Sequence, residues 1–411
     1  RDAQESRGLG DVYKRQIMGT GYFISSKYNI LSPTIEIVNY YDNYQFLENS
    51  SLQNFIGEAN LHKHGHDNAT SLLTGRLVKT SDGHYLCSAL YYGKKGNVVE
   101  KCENTLGGGL HNVTTSYSFT GKPVEVIESF SRNGLTKTVA QQNTYDTNTD
   151  LLLTQTHTFN NAPTINTATY SYDNLGRIDS IGRNSNKVSI RYSYDVHGWV
   201  NNINGQDVIH NKTLFNEQIH YADYPSNKNY NGNIAFVKFV TSDNPMGAGC
   251  HYSYEYHYDE MNRLTRASFG CGQIGTDYCS NVDIFNEVMT YDANSNIVSL
   301  VRSGIMDNSS YGVIDNLTYS YYGNKLFGVS DQAPSLVSES AFDFKDNALS
   351  TYGAPEYGYN KNGAQTYDAN KGITKIDYDL AGNPIRVQFA DHSVTENVYS
   401  VDGRKLKTVH R

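Results

Sequence analysis

The alternating histidines His62, His64 and His66 are the first candidates for chemistry in this chain. On a β-strand, alternate residues point to the same face, so the three imidazoles could together bind a transition metal. Gly65 and the neighbouring Asp67 instead favour a loop. We interpret the segment as a polar loop and expect the protein to bind no metal and no cofactor.

The cysteines are the second candidate group. Five cysteines occur, and an odd number in a chain of this length does not predict a disulfide framework. If the hairpin around 85–102 turns midway between Cys87 and Cys102, these residues face each other, so a disulfide is one option and two reduced thiols the other. Cys271 and Cys279 are too far apart in sequence for the usual zinc spacing of about two to four residues. A loop-closing disulfide between them stays open.

No signature of an enzyme is present. Gly107–Gly109 is followed by neither Lys-Ser nor Lys-Thr and opens no helical pattern, which excludes the common phosphate-binding loops. No Gly-x-Ser-x-Gly elbow occurs. Carboxylates are plentiful enough for a glycosidase pair, but the aspartates of the repeated motif are expected to have a structural role in turns. We expect no catalytic residues, and a net charge of −8 predicts no nucleic-acid partner.

The composition indicates which elements must carry these residues. The chain has 411 residues with 34 Tyr and 35 Gly but only 8 Pro, and 18% of its residues are charged, below the roughly 25% of an average soluble domain. Abundant aromatics and low charge argue against a disordered chain. No run of about 18 apolar residues exists that could form a transmembrane helix. The composition therefore predicts an all-β protein.

A repeated Tyr-Asp motif organises the chain. In Tyr172–Ile178, Asp173 is expected to begin a tight turn and Gly176 to take a positive φ after it. We expect Tyr172 and Arg177 to stack across this turn. Period-two alternation on both sides predicts a hairpin. The repeat residues identified in this way are Tyr172, Asp173, Gly176, Arg177, Tyr194, Asp195, Gly198, Trp199, Tyr258, Asp259, Arg263, Tyr291, Asp292, Tyr378, Asp379, Gly382, Asp402, Gly403 and Arg404.

These motifs resemble the YD-repeat, or RHS, proteins of bacteria, in particular the RHS cores of Bacteroidetes. The resemblance extends over nearly the whole chain from about residue 17. Beyond the repeat motif, the segments that resemble the family are Tyr91–Val98, Tyr117–Lys122, Tyr192–Val200, Tyr230–Ala235, Gly312–Tyr319 with Gly323 and Asn324, and Asp402–Leu406. A single motif is moderately specific, and the ordered series is strongly so. The resemblance implies hairpins that wind into a spiralling β-sheet shell. It also implies a secreted or cell-surface protein whose shell encloses a C-terminal toxin or effector, itself not in this chain.

The resemblance also divides the chain. Residues 1–16 are rich in charge, lack hydrophobic periodicity and are interpreted as a non-native scar. Residues 17–140 are expected to form upstream repeats, and residues 141–411 RHS core repeats that stop before the core ends. The family's self-cleavage motif, Asp-Pro-x-Gly, is missing from the sequence. The alternative function is adhesion to cell-surface carbohydrates, because tyrosine rings and polar side chains suit sugar binding.

Overall fold

A computed structural model gives the fold of the chain. It describes residues 14–16, 23–25, 34–48, 69–205, 215–224, 228–241, 250–273, 280–282, 284–306, 310–336, 343–347 and 354–411. About 60% of these described residues lie in strands. The described residues contain no α-helix, only a 3-10 helix at Gln45–Glu48, and so no helix among them has the length and apolarity needed to cross a membrane. The predicted all-β fold is confirmed.

The chain divides into two compact units. The first unit comprises residues 1–167, 377–387 and 394–411. Among the described residues, its strands β3 to β10 pair antiparallel with their neighbours in chain order. β1 and β2 pair with each other. The ten strands are β1 (Lys14–Gln16), β2 (Phe23–Ser25), β3 (Ile37–Tyr41), β4 (Leu73–Lys79), β5 (Tyr85–Tyr92), β6 (Val98–Thr105), β7 (Gly109–Tyr117), β8 (Pro123–Arg132), β9 (Leu135–Tyr145) and β10 (Leu152–Phe159).

The second unit comprises residues 168–376 and 388–393. Its strands also pair antiparallel, mostly with their neighbours in chain order. They are β11 (Ile165–Tyr172), β12 (Ile178–Arg183), β13 (Val188–Tyr194), β14 (Val200–Ile203), β15 (Phe215–His220), β16 (Phe236–Thr241), β17 (Cys250–Tyr258), β18 (Leu264–Gln273), β19 (Ser280–Asn281), β20 (Glu287–Tyr291), β21 (Ile297–Ile305), β22 (Tyr311–Tyr322), β23 (Lys325–Asp331), β24 (Tyr357–Tyr359), β25 (Gln365–Asp368) and β26 (Ile373–Tyr378). The remaining strands are β27 (Pro384–Phe389), β28 (Val394–Tyr399) and β29 (Lys405–His410).

An aromatic core lies in the first unit. Tyr40 stacks on Phe46 with ring centroids 4.2 Å apart, and Tyr44 stacks on Tyr91 at 4.8 Å. The 3-10 helix brings Phe46 against β4, where Gly75 gives it room. A Cβ at Gly75 would lie 2.1 Å from the ring, so a larger residue there would displace Phe46. The core therefore depends on a glycine inside a strand as well as on its aromatic rings.

A one-residue register shift recurs beside the repeat turns. Tyr172 pairs with Ile178, whereas Ser171 pairs with Ser180, so the return strand β12 carries one extra residue, Asp179. The same shift occurs between the tyrosine that ends a strand and the residue before it in β5, β7, β13, β17, β20 and β28. Such bulges bend a strand and increase its twist. Each of these hairpins therefore bends in the same place relative to its turn.

The register shift also corrects the pairing expected for the cysteines. Cys102 pairs with Ala89 rather than with Cys87. The turn is centred on Lys95, since Tyr92 pairs with Val98, and this moves the register by one residue; the bulge at Val99 moves it by one more. Both thiols are buried, and neither is in a disulfide. Burial, with the nearby Cys102 sulfur as a smaller cause, raises the pKa of Cys87 to about 12. The expectation of facing cysteines was wrong, and the pair is two reduced thiols.

Candidate functional site: the repeated Tyr-Asp turn

The aspartate of each repeat organises its own turn. The Asp173 backbone N–H donates to the Arg177 carbonyl (2.9 Å), and the Gly176 N–H donates to the Asp173 carbonyl (3.0 Å). The carboxylate Oδ1 accepts the backbone N–H groups of Leu175 and Arg177, both at 2.9 Å. The side chain thus satisfies donors that the turn leaves without a strand partner, as the sequence leads one to expect.

The same pattern recurs in the other repeats. Asp195, Asp259, Asp292 and Asp379 each accept two backbone N–H groups from the residues two and four positions later, at 2.8–2.9 Å. Asn360 does so with its amide oxygen, at 2.9–3.0 Å. An oxygen acceptor at this position is therefore the requirement, and a negative charge is not.

The fourth turn residue has a left-handed backbone. Gly176, Gly198, Gly382 and Gly403 have φ between 78° and 88°, where glycine carries no steric cost. Ser295 stands at this position in its repeat, with φ 68°. The flanking Asn294 and Asn296 donate their backbone N–H groups to Asp292 Oδ1, both at 2.8 Å. Asn262 has φ 62°, consistent with the tolerance of Asn for this region.

The repeat arginines stack on the tyrosine of the next hairpin rather than on that of their own. The Arg177 guanidinium lies 4.4 Å from the ring centre of Tyr194, whereas Tyr172 pairs with Ile178. The expected stacking of Arg177 on Tyr172 was wrong. The cause is the bond from Arg177 Nε to Asp173 Oδ2 (2.7 Å), which directs the guanidinium along the turn edge.

Other repeats show the same contact. Arg263 pairs with Asp259 at 2.7 Å, and its guanidinium lies 4.7 Å from the ring of Tyr291. Trp199, at the arginine position of its repeat, packs against Tyr221 with ring centroids 5.0 Å apart. The residue after the turn therefore carries the contact to the next repeat.

The tyrosine hydroxyls make a second contact between hairpins, which sequence reasoning missed. Tyr194 donates its hydroxyl to the Ile178 carbonyl (2.8 Å), and Tyr291 donates to the Leu264 carbonyl (2.6 Å). In both cases the acceptor is six positions after the tyrosine of the preceding repeat. The same spacing holds for Tyr117, Tyr145, Tyr221 and Tyr321, at 2.7–3.0 Å. Tyr258 differs, because its hydroxyl donates to the Ile234 carbonyl (3.0 Å). The spacing shared by the other six tyrosines is the signal by which the contact could have been found.

The last repeats differ in detail. In Tyr378–Asn383, the Asp379 carboxylate accepts a bond from Asn383 Nδ2 (2.9 Å) in place of an arginine. In the repeat that begins at Tyr399, Ser400 starts the turn, because its N–H donates to the Arg404 carbonyl (3.0 Å). Asp402 instead pairs with Arg76 at 3.1 Å. Ser400 therefore stands at the first position of the turn, which the repeat aspartate Asp402 was expected to hold.

The electrostatics of these groups suit the hydrogen bonds that they make. The Arg263 backbone N–H, opposed by a smaller effect of burial and aided by the Arg263 guanidinium, lowers the pKa of Asp259 below its ordinary value. Burial raises the pKa of Tyr194, Tyr291 and Tyr321. At neutral pH the aspartate is thus a charged acceptor and each tyrosine a neutral donor, which is what the observed bonds need.

The remaining sequence candidates fall partly outside the residues that the structure describes. His62, His64, His66 and Cys279 lie outside the described residues. In the part of the chain that the structure describes, no group of three or more histidine, cysteine or acidic side chains is placed to hold a metal ion. Gly107 and Gly108, with φ of 97° and 84°, belong to the turn between β6 and β7. These two glycines therefore allow the backbone conformation of a hairpin turn.

Comparison with known proteins gives only structural likenesses. No protein-family model matches the chain, and no curated protein does. A chain of the crystal structure of TcdB2-TccC3 without hypervariable C-terminal region is similar, with 10% identity and a TM-score of 0.34 over 84% of this chain and 21% of that chain. A chain of TcdB2-TccC3 matches over 95% of this chain and 23% of that chain, with 10% identity and a TM-score of 0.22. A chain of TcdB2-TccC3-Cdc42 matches over 84% and 21%, with 9% identity and a TM-score of 0.21. The protein thus spans less than a quarter of the length of these chains.

Proposed function

We propose that this chain is a non-catalytic section of a β-sheet shell in an exported RHS-type protein, and that the shell encloses a C-terminal toxin or effector region of the same full-length protein. The observation that carries the proposal is the hydrogen bond from the tyrosine hydroxyl of one repeat to a fixed carbonyl of the repeat before it. The ordered series of motifs, which resembles RHS cores, supports the same conclusion.

The repeated contact suits a wall better than an active site. Six of the hairpins are joined to their predecessors by the same bond, so a sheet can grow by adding further units of one kind. An array of this type gains stability mainly from the interfaces between adjacent repeats. A long wall built in this way can surround a second segment of polypeptide, which is the role we infer.

The fixed side chains offer little for catalysis. The carboxylates of Asp173 and Asp259 each accept two backbone N–H groups and an arginine Nε. A general base needs a carboxylate that can reach the substrate proton. These oxygens are already bound within the turn, so we infer that the repeats act as structure.

Limited proteolysis of the full-length protein tests enclosure. We expect the region after this chain to resist trypsin while the shell is native, and to be cut at the rate of the isolated region once the shell is unfolded. Replacing Tyr194, Tyr291 and Tyr321 together by phenylalanine should shorten this protection, whereas Tyr192→Phe should not. Equal cleavage of the enclosed and isolated regions would contradict the proposal.

Adhesion to cell-surface glycans is the second proposal. It is favoured by tyrosines that present their rings to solvent, among them Tyr41, Tyr230 and Tyr322, which are 50%, 76% and 81% exposed. Exposed tyrosine offers both an apolar face and a hydroxyl to a sugar. Incubation of the purified chain with a glycan array tests it. An array without bound glycans would refute this second function and leave the shell proposal intact.

A further inference from the structure

A cavity of about 540 Å³ lies in the second unit. Residues of β22 to β25, the segment 343–345 and residues 370–371 line it. Its volume falls within the roughly 300–1,000 Å³ of small-molecule sites. Four aromatic side chains contribute to its wall: Tyr319, Phe344, Tyr357 and Tyr359. The cavity therefore combines enough volume for one or two sugar rings with several aromatic surfaces.

A hydrogen-bond network fixes the polar side chains beside these rings. Asn370 Nδ2 donates to Tyr357 Oη (3.1 Å) and to Glu356 Oε2 (3.0 Å). The same Glu356 oxygen accepts the Val329 backbone N–H at 3.0 Å. Because both donations come from the amide nitrogen, the orientation of the Asn370 amide is set before any ligand enters. Preorganised polar groups cost less to use in binding than mobile ones.

A second buried carboxylate is fixed in the same way. Asp368 is only 4% exposed. Its Oδ2 accepts from Gln365 Nε2 at 3.2 Å, and its Oδ1 accepts the Lys371 backbone N–H at 3.0 Å. The cavity wall thus carries planar amide and carboxylate groups in set positions, next to ring faces.

The charges on the cavity wall balance. Asp343 and Asp368 are matched by Lys345 and Lys371, and Lys345 Nζ lies 2.7 Å from Asp343 Oδ1. A phosphorylated or otherwise anionic ligand would need an excess of cations. Balanced charge with fixed planar acceptors and aromatic faces instead suits a neutral molecule with many hydroxyls.

We propose that this cavity is a binding site for a neutral mono- or disaccharide. One apolar face of the sugar packs on the ring of Tyr357, and its hydroxyls bond to the polar groups at Asp368 and Asn370. The inference rests on the second proposed function, glycan binding, and is independent of the shell.

Saturation-transfer NMR and calorimetry on the purified chain test the site, with glucose, galactose, N-acetylglucosamine and lactose as probes. We expect one of them to bind, and Tyr357→Ala to weaken that binding at least about tenfold, which corresponds to about 1.4 kcal/mol. The matched control is Tyr367→Ala, a half-exposed tyrosine of β25 that does not line the cavity; binding should change less than about twofold, well below the tenfold that 1.4 kcal/mol represents. Tyr357→Phe, which keeps the ring, should bind more tightly than Tyr357→Ala even if the alanine variant folds poorly.

Several results would overturn the site. They are the absence of binding by all four sugars, equal losses in the Tyr357 and Tyr367 variants, and tighter binding of glucose 6-phosphate or of a tyrosine-containing peptide than of any neutral sugar. A glycan array that stays positive for Tyr357→Ala would also reject this cavity. That result would leave the glycan-binding function itself in place, so the two failures can be distinguished.

Discussion

Removing one hydroxyl should measure the bond between neighbouring hairpins. Tyr194→Phe deletes the donor that lies 2.8 Å from the Ile178 carbonyl but keeps the ring on which the Arg177 guanidinium stacks at 4.4 Å. A hydrogen bond of this kind contributes about 1 kcal/mol net. A loss of that size changes the ratio of closed to open hairpin about fivefold.

The single tryptophan makes this change measurable where it occurs. Trp199 is the only tryptophan of the chain and belongs to the same repeat as Tyr194, so its fluorescence reports the opening of that hairpin during unfolding in urea. A local probe is needed because a repeat array does not always unfold in a two-state way. We expect the midpoint at Trp199 to fall, and hydrogen exchange around the turn to quicken about fivefold.

The matched control lies in the same strand. Tyr192 is on the same face of β13 as Tyr194, two residues earlier, and no hydrogen bond of its hydroxyl is seen among the described residues. Tyr192→Phe should therefore leave the Trp199 transition within about 0.5 kcal/mol of the unchanged protein, the usual range for a substitution without such a partner. Equal effects of the two phenylalanine variants would refute the assignment of the inter-hairpin bond.

Three further predictions concern the turns and the core. Gly176→Ala should destabilise the protein by roughly 1–2 kcal/mol because φ is positive there, whereas Gly176→Asn should cost far less, as Asn262 adopts the same conformation; thermal unfolding of both variants tests this. The pKa of Asp259 lies below its ordinary value of 3.8 in the folded state, so its stabilisation is complete above that value and is lost as pH falls below it towards the folded pKa; Asp259→Asn should show a smaller loss of melting temperature between pH 5 and pH 3. Cys87 and Cys102, buried and reduced, should react with a maleimide only after unfolding, and rapid labelling of the native protein would contradict their burial.

Local sequence rules predicted the conformation of the turn but not the contacts between the turn and the neighbouring hairpin. The roles of Asp173 and Gly176 follow from backbone donors and from φ, both of which are properties of four or five consecutive residues. The partner of Arg177 depends on which strand lies beside the turn, and that strand ends 17 residues later, at Tyr194. Stacking within one hairpin was therefore the wrong expectation, although the pair of residue types was right.

The cysteine pair shows that local sequence rules also failed to predict the register of a hairpin. Counting back from a turn centred between Lys94 and Lys95 put Cys87 opposite Cys102, but the turn is centred on Lys95 and the extra residue Val99 shifts the strands once more. A bulge costs little and leaves no clear mark in a single repeat. It becomes visible only when several repeats are aligned on their tyrosines. The same comparison would have shown the constant spacing between each tyrosine and its acceptor carbonyl.

The two contacts between hairpins meet on one side chain, and this explains the composition of the motif. Tyr194 receives the Arg177 guanidinium on its ring and donates its hydroxyl to Ile178, and both partners belong to the preceding repeat. Asp173 holds Arg177 in place, so an aspartate in one repeat positions the tyrosine of the next. Tyrosine meets both requirements because phenylalanine lacks the donor and tryptophan carries its N–H elsewhere on the ring. Any repeat that supplies an acceptor carbonyl and a tyrosine can therefore follow any other. The number of repeats can then change while the contacts between adjacent hairpins stay the same.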